Sequence, residues 1–311
     1  MSADEVNISK IADSLLSDID ISLQFILGEK NPGNNRDDIR INRNNSHSIF
    51  TKSIDQFQPC PQLMDTHLRS FINRITDSYI KNCLRSGQNS LLDEQISDSF
   101  YQFAKVRGSK TTSNFLNSDI SLLPHVVERV TLCSSWKSRY FLLLWLSVLI
   151  LTPFPLSKIE DQLPDNVYIM SCTFLESSSG KETDAASVLM ARFLSRVDTQ
   201  SYLTRFITEH INSLKWKDTS VFTRIGILST INFLLKISTL NNLSPYLNRI
   251  STLTFNELQD GSKLSSSVLK LLIKILGKLS LYFLRMANFS RIEDAITIML
   301  SYASHQDTNI R

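Results

Sequence analysis

A chain of 311 residues, 42% hydrophobic and 20% charged, has the make-up of a folded protein with a substantial core. Its 33 lysines and arginines stand against 30 aspartates and glutamates, and a net charge of +3 is too small for a general nucleic-acid surface. Only eight glycines and eight prolines are present, which leans away from turn-rich β and α/β folds and toward an all-α one.

The first periodic stretch predicts a helix over Ile11–Leu27, with Ile11, Leu15, Leu16, Ile19, Leu23 and Ile26 on one face. Asparagine-rich, polar sequence follows from Gly28 to Ser48 and reads as a long loop and a candidate for disorder. Residues 1–60 are therefore expected to form an amino-terminal helix and loop, and residues 61–311 a run of helical repeats. Within that run, helices are predicted at Leu63–Leu84, Leu91–Val106, a short segment through Phe115, and Leu122–Cys133. The next stretch, Trp136 to Pro153, is the most apolar of the chain; from Tyr140 to Leu151 only Ser147 interrupts it. A bilayer span needs about 20 apolar residues. This run is shorter, closed by Lys137 and Arg139 at one end and Pro153 and Pro155 at the other, so it predicts a helix buried on most of its circumference.

A variable region is expected around Asp161–Lys181. Helices are then predicted at Ala185–Ser195, Tyr202–Leu214, Val221–Ile237, Pro245–Leu258, Leu264–Phe283 and Ile292–Tyr302, joined by short polar links. Helices of this length in succession suggest an α-solenoid of antiparallel pairs, of HEAT or armadillo type, with a period of about 40–47 residues, and a helical bundle is the structural alternative. In Leu264–Phe283, Leu264, Val268, Leu272, Ile275, Leu276, Leu279 and Phe283 share one face. Lys270, Lys274 and Lys278 fall on the other at four-residue steps. That lysine row is either a solvated face or a stripe that meets an acidic partner. These three lysines are the candidate partner-binding residues.

Cys60, Cys83, Cys133 and Cys172 form no CxxC or CxH pair, which argues against a zinc site or a disulfide scaffold. No two of His47, His67, His125, His210 and His305 share a helix face at metal-ligand spacing. Ser179-Gly180-Lys181 lacks the first glycine of a phosphate loop and reads as a loop tip. Arg107-Gly108-Ser109-Lys110 reads more simply as a helix C-cap than as an anion cradle. No cofactor is called for, and a non-catalytic interaction protein is the expectation. The acidic Met1–Asp20 lacks the cationic start of a secretory signal, so the cytoplasm is the expected address.

Four segments, in order, resemble a known family. They are Pro61-Gln-Leu-Met-Asp65-Thr-His-Leu68, Lys105-Val-Arg107-Gly-Ser-Lys110, the Trp136–Phe154 run, and Ala191-Arg-Phe-Leu-Ser-Arg196-Val-Asp198. They resemble the amino-terminal region of the tubulin-folding cofactor D family, with Thr66 in place of a proline and Ser109 in place of an aromatic residue. Val268–Leu284 is similar to a further helix of that family. The resemblance implies a HEAT/armadillo solenoid, and a chain that is an amino-terminal fragment of a longer protein, monomeric on its own. It also implies a chaperone that binds β-tubulin and works with cofactors E and C and an Arf-like small GTPase. Together they assemble or disassemble the αβ-heterodimer and stimulate GTP hydrolysis on tubulin, in the cytoplasm and at the microtubule cytoskeleton. No catalytic residue is carried over. The alternatives are another HEAT-type scaffold or adaptor unrelated to tubulin, and an enzyme with an unfamiliar all-α fold.

Overall fold

Apolar residues at three- and four-residue steps dominate the chain, and they fold as helices because each step returns a side chain to the same face. The computed structural model describes residues 3–30, 36–84, 90–211, 216, 219–259, 264–308 and 310. Among these, fourteen α-helices and no strand are present, in the all-α class that the periodicity predicts. No described helix is long and apolar enough to cross a membrane. The chain forms two compact units, Met1–Leu149 and Ile150–Arg311.

The first unit holds α1 (Ala3–Ile26), α2 (Arg36–Asp55), α3 (Asp65–Tyr79), α4 (Ser90–Arg107), α5 (Ser109–Ser113), α6 (Leu123–Leu132) and α7 (Trp136–Leu149). α2 corrects the expected loop: part of Gly28–Ser48 is helical and packs on α1 and α4. Its anchors are Phe50 and Ile54, one turn apart and fully buried. A single apolar seam at the far end of a polar helix is enough to dock it, because tertiary burial rather than propensity holds most helices. Residues 31–35 of the expected loop lie outside the described residues.

α4 lies at the centre of the unit, against α2, α3, α5 and α7. Aromatic side chains fill the space around it: Phe103 meets Phe50 edge-on at 5.5 Å and Phe71 at 5.6 Å. Phe141 of α7 meets Phe100 at 4.8 Å and Tyr79 at 5.1 Å. Every residue from Tyr140 to Ser147 is buried, as the length of the apolar run predicts. The Trp145 indole N–H donates to the Asn117 carbonyl at 2.7 Å, which satisfies its one polar atom inside the core. Gly108 ends α4 with φ +94°, a left-handed conformation that favours glycine, in line with the C-cap reading.

Asp98 of α4 ties two further helices to the centre. Its carboxylate lies 2.8 Å from His47 Nε2 on α2 and 2.7 Å from Lys137 Nζ on α7. Burial pushes this carboxyl up, but the bonds from His47 and Lys137 more than offset it and hold the group below its ordinary value. A depressed folded-state value stabilises the fold at neutral pH and is lost as pH falls below the unfolded value of about 3.9. Asp98→Asn is therefore expected to flatten the acid limb of a stability–pH profile below about pH 4, measured by urea midpoint.

The second unit holds α8 (Leu163–Leu175), α9 (Gly180–Leu194), α10 (Gln200–His210), α11 (Val221–Ile237), α12 (Leu240–Gln259), α13 (Ser266–Arg285) and α14 (Phe289–Ser301). α8 occupies the expected variable region; Pro164 sits in its first turn, and Leu163, Val167, Met170 and Leu175 are buried against its neighbours. Ser179-Gly180-Lys181 leads into and opens α9 rather than forming a loop tip: Ser177 and Thr183 hydroxyls tie the chain ends together there. α12 begins five residues before Pro245, because Leu243 is fully buried and holds the preceding turn in place.

α9, α11 and α13 touch in sequence. They start at Gly180, Val221 and Ser266, steps of about 40–45 residues that match the expected repeat. Hydrogen bonds between elements recur at the same separation. Thr204 bonds to Tyr246 at 2.6 Å, 42 residues away, and Tyr302 to the Leu258 carbonyl at 2.8 Å, 44 away. Tyr282 bonds to the Leu235 carbonyl at 3.1 Å, 47 away.

In α13, Val268, Leu272, Ile275, Leu276, Leu279 and Phe283 are buried, as their spacing predicts. Gly277 lies mid-helix, where an added Cβ meets nothing within 4 Å. Gly277→Ala is expected to stabilise the protein by about 0.5–1 kcal/mol, read as a rise in denaturation midpoint.

Candidate functional site

The lysine row of α13 is divided by its neighbours. Lys274 is exposed, Lys270 is half-buried, and Lys278 turns toward α11, where its ammonium bonds to the Asn232 backbone carbonyl and, at 2.5 Å, to Asn232 Oδ1. Burial lowers the Lys278 value, and the charges of Lys236 and Lys274 lower it further. Lys236, exposed near the end of α11, thus joins Lys274 and Lys278 in one cationic cluster across two helices. Its helix, α11, carries one other charge, Arg224, about three turns earlier, and nothing along the chain links Lys236 to α13; only the packing of α11 on α13 reveals the cluster.

The segments that resemble a family come together in pairs. Asp65, in the first, accepts a forked pair of bonds from Arg107, in the second: Nε to Oδ1 at 2.6 Å and Nη2 to Oδ2 at 2.7 Å. The Arg107 bonds hold the Asp65 carboxyl below its ordinary value. In the second unit, Arg196 donates to three carbonyls of one turn: Ile150 at 2.6 Å, Thr152 at 2.7 Å and Phe154 at 2.8 Å. The same guanidinium meets Asp198 Oδ2 at 3.0 Å, and that oxygen accepts the Leu156 backbone N–H at 2.9 Å. A planar fork with five donors suits such a set, and an ammonium cannot reproduce it. Arg196→Lys is expected to destabilise the protein by about 1–2 kcal/mol, read by chemical denaturation.

The apolar turn clamped by Arg196 displays Leu151 and Phe154, both more than half exposed, and Val197, next to Arg196 in the chain, is 84% exposed, the highest of the large apolar residues among those described.

A cysteine and a histidine that are far apart in sequence do meet: Cys172 Sγ lies 4.0 Å from His210 Nε2. Burial pushes the Cys172 thiol up to about 11, with the charge of Glu209 adding to the shift. The thiol is therefore protonated at neutral pH, opposite to the activation that a nucleophile needs. Cys83 and Cys133 are likewise pushed up to about 12 by burial and the Asp93 charge. Among the described residues, no group of three or more His, Cys, Asp or Glu side chains is placed to hold a metal ion.

Comparison with known proteins places these features in context. The family described as Tubulin-specific chaperone D-like, ARM repeat, matches residues 54–214, and so takes in Asp65, Arg107 and Arg196. Tubulin-folding cofactor D of Schizosaccharomyces pombe is 29% identical over 216 residues, 66% of this chain and 19% of that protein. The chain thus spans about a fifth of the length of this curated relative. No solved structure matches the chain.

Proposed function

The chain belongs to the Tubulin-specific chaperone D-like, ARM-repeat family, and on that premise we propose that it is a non-catalytic tubulin-folding chaperone. In this reading it binds β-tubulin and acts with cofactors E and C and an Arf-like small GTPase to assemble or disassemble the αβ-heterodimer. GTP hydrolysis on tubulin is stimulated by the assembled complex, in the cytoplasm and at the microtubule cytoskeleton. The observation that carries the reading is the family match over 54–214, whose ends take in the paired anchors Asp65–Arg107 and Arg196–Asp198.

The physical role follows from the architecture. Stacked helical repeats offer an extended surface on which one partner subunit can be held. While held, its apolar interface is shielded from aggregation. Lys270 and Lys274, with Lys236 beside them, form the proposed contact with an acidic face of a partner; Lys278 serves mainly to tie α13 to α11.

Co-purification of this chain with tubulin and with the Arf-like GTPase is the test, with the fission-yeast cofactor D as reference. Retention of either partner, weakened about fivefold or more by Lys270→Glu with Lys274→Glu, is the expected result. Retention of both partners by the reference and of neither by this chain would remove the binding role from these residues.

A further inference from the structure

A cavity of about 410 Å³ opens between the end of α1 and helices α2 and α3. Its wall includes Gly28, Glu29, Arg43, Arg74, Asp77 and Lys81. The size falls in the lower part of the range of small-ligand sites, about 300–1,000 Å³.

The two arginines in this wall are in opposite states. Arg74 is fully engaged: its guanidinium meets Asp20 Oδ1 at 2.5 Å and grips Glu29 with Nε to Oε1 at 3.0 Å and Nη2 to Oε2 at 2.6 Å. The Arg43 Nε is shut away from solvent and has no hydrogen-bond partner. A guanidinium is rarely left so, because a buried donor without an acceptor loses its hydration without compensation. Burial lowers the Arg43 value with no neighbour to oppose it.

The backbone makes room for this arrangement. Gly28 closes α1 with φ +74°, and a Cβ there would lie 2.9 Å from Arg43 Nη2. The Arg43 guanidinium therefore lies close against Gly28. Lys81 adds a second positive charge to the wall, and exposed Asp77 is the acid that opposes it once Glu29 is taken up by Arg74.

We propose that this cavity binds one anionic group, a carboxylate or a phosphate, through the Arg43 guanidinium. The planar fork fits both oxyanions with paired bonds. The group can arrive on a small free anion or on an acidic side chain of a peptide, and the two sources are separable by experiment.

The test is isothermal titration of this chain with inorganic phosphate, with citrate and with a glutamate pentapeptide, at constant ionic strength. One-to-one binding of at least one probe is expected. Arg43→Met should weaken it tenfold or more, and Asp77→Asn should tighten it by removing the opposing charge. Binding of phosphate or citrate identifies a small-anion site; binding of the pentapeptide alone identifies the same site as a receptor for acidic side chains. Absence of binding by all three probes overturns the proposal, as does unchanged binding by a folded Arg43→Met. Should Arg43→Met fail to fold, the Asp77→Asn titration decides: no tightening overturns the proposal.

Discussion

Asp93→Asn is expected to destabilise the first unit by about 3–5 kcal/mol. The carboxylate of Asp93 joins three helices. It accepts from the Tyr79 hydroxyl of α3 at 2.9 Å and from Arg129 of α6, through Nε at 3.1 Å and through Nη2. Ser97 and the Cys133 thiol complete its surroundings at 3.4 and 3.5 Å. Asp93, Arg129 and Tyr79 are all buried. Two charges taken from water gain little by meeting, but removing one strands the other, and that is the large term. The asparagine variant keeps the shape and leaves Arg129 uncompensated. The expected signature in urea unfolding is a lower midpoint, with Asp93→Leu combined with Arg129→Met recovering most of the loss. If the single and double variants were equally unstable, shape rather than charge would be holding the three helices.

Gly226→Ala is expected to destabilise the second unit by about 2–4 kcal/mol, although alanine is the better helix former by about 1 kcal/mol. Gly226 lies in the interior of α11, and a Cβ there would stand 2.3 Å from the Leu175 carbonyl oxygen at the end of α8. The obstacle is backbone, so no side-chain rotation relieves it, and α8 must move away from α11. The Gly226 carbonyl also accepts from Ser187 of α9 at 3.2 Å and from Thr230 at 2.9 Å, so the shift would disturb the α9–α11 contact too. Gly277→Ala, two helices on, has the opposite expected sign. Measuring the two side by side separates helix propensity from packing. A stabilised Gly226→Ala would mean that α8 and α11 do not approach as described.

How much of this was legible in advance differs from element to element. The bounds of α11 were readable to the residue, and α7 was readable as a buried helix, because period and length are local properties of the chain. α2 and α8 were missed. Their apolar residues are few or are mixed with serine, cysteine and threonine, and the partners that bury them lie elsewhere in the chain. The segments quoted for the family resemblance were legible as sequence. Their pairing through Asp65–Arg107, and the clamp of Arg196 on the Ile150–Phe154 turn, were not, because the partners are about 40 residues apart.

For this protein the sequence by itself determined the helical class, the burial of α7 and the spacing of Lys270, Lys274 and Lys278. Each follows from where a side chain points along one helix, and that geometry needs no neighbour. Tertiary structure alone decided that Lys278 bonds to Asn232, that Lys236 joins the cationic cluster, and that Arg74 is neutralised while Arg43 is left open above Gly28. Those outcomes depend on desolvation and on partners brought within about 3 Å by packing, and no spacing along the chain encodes them.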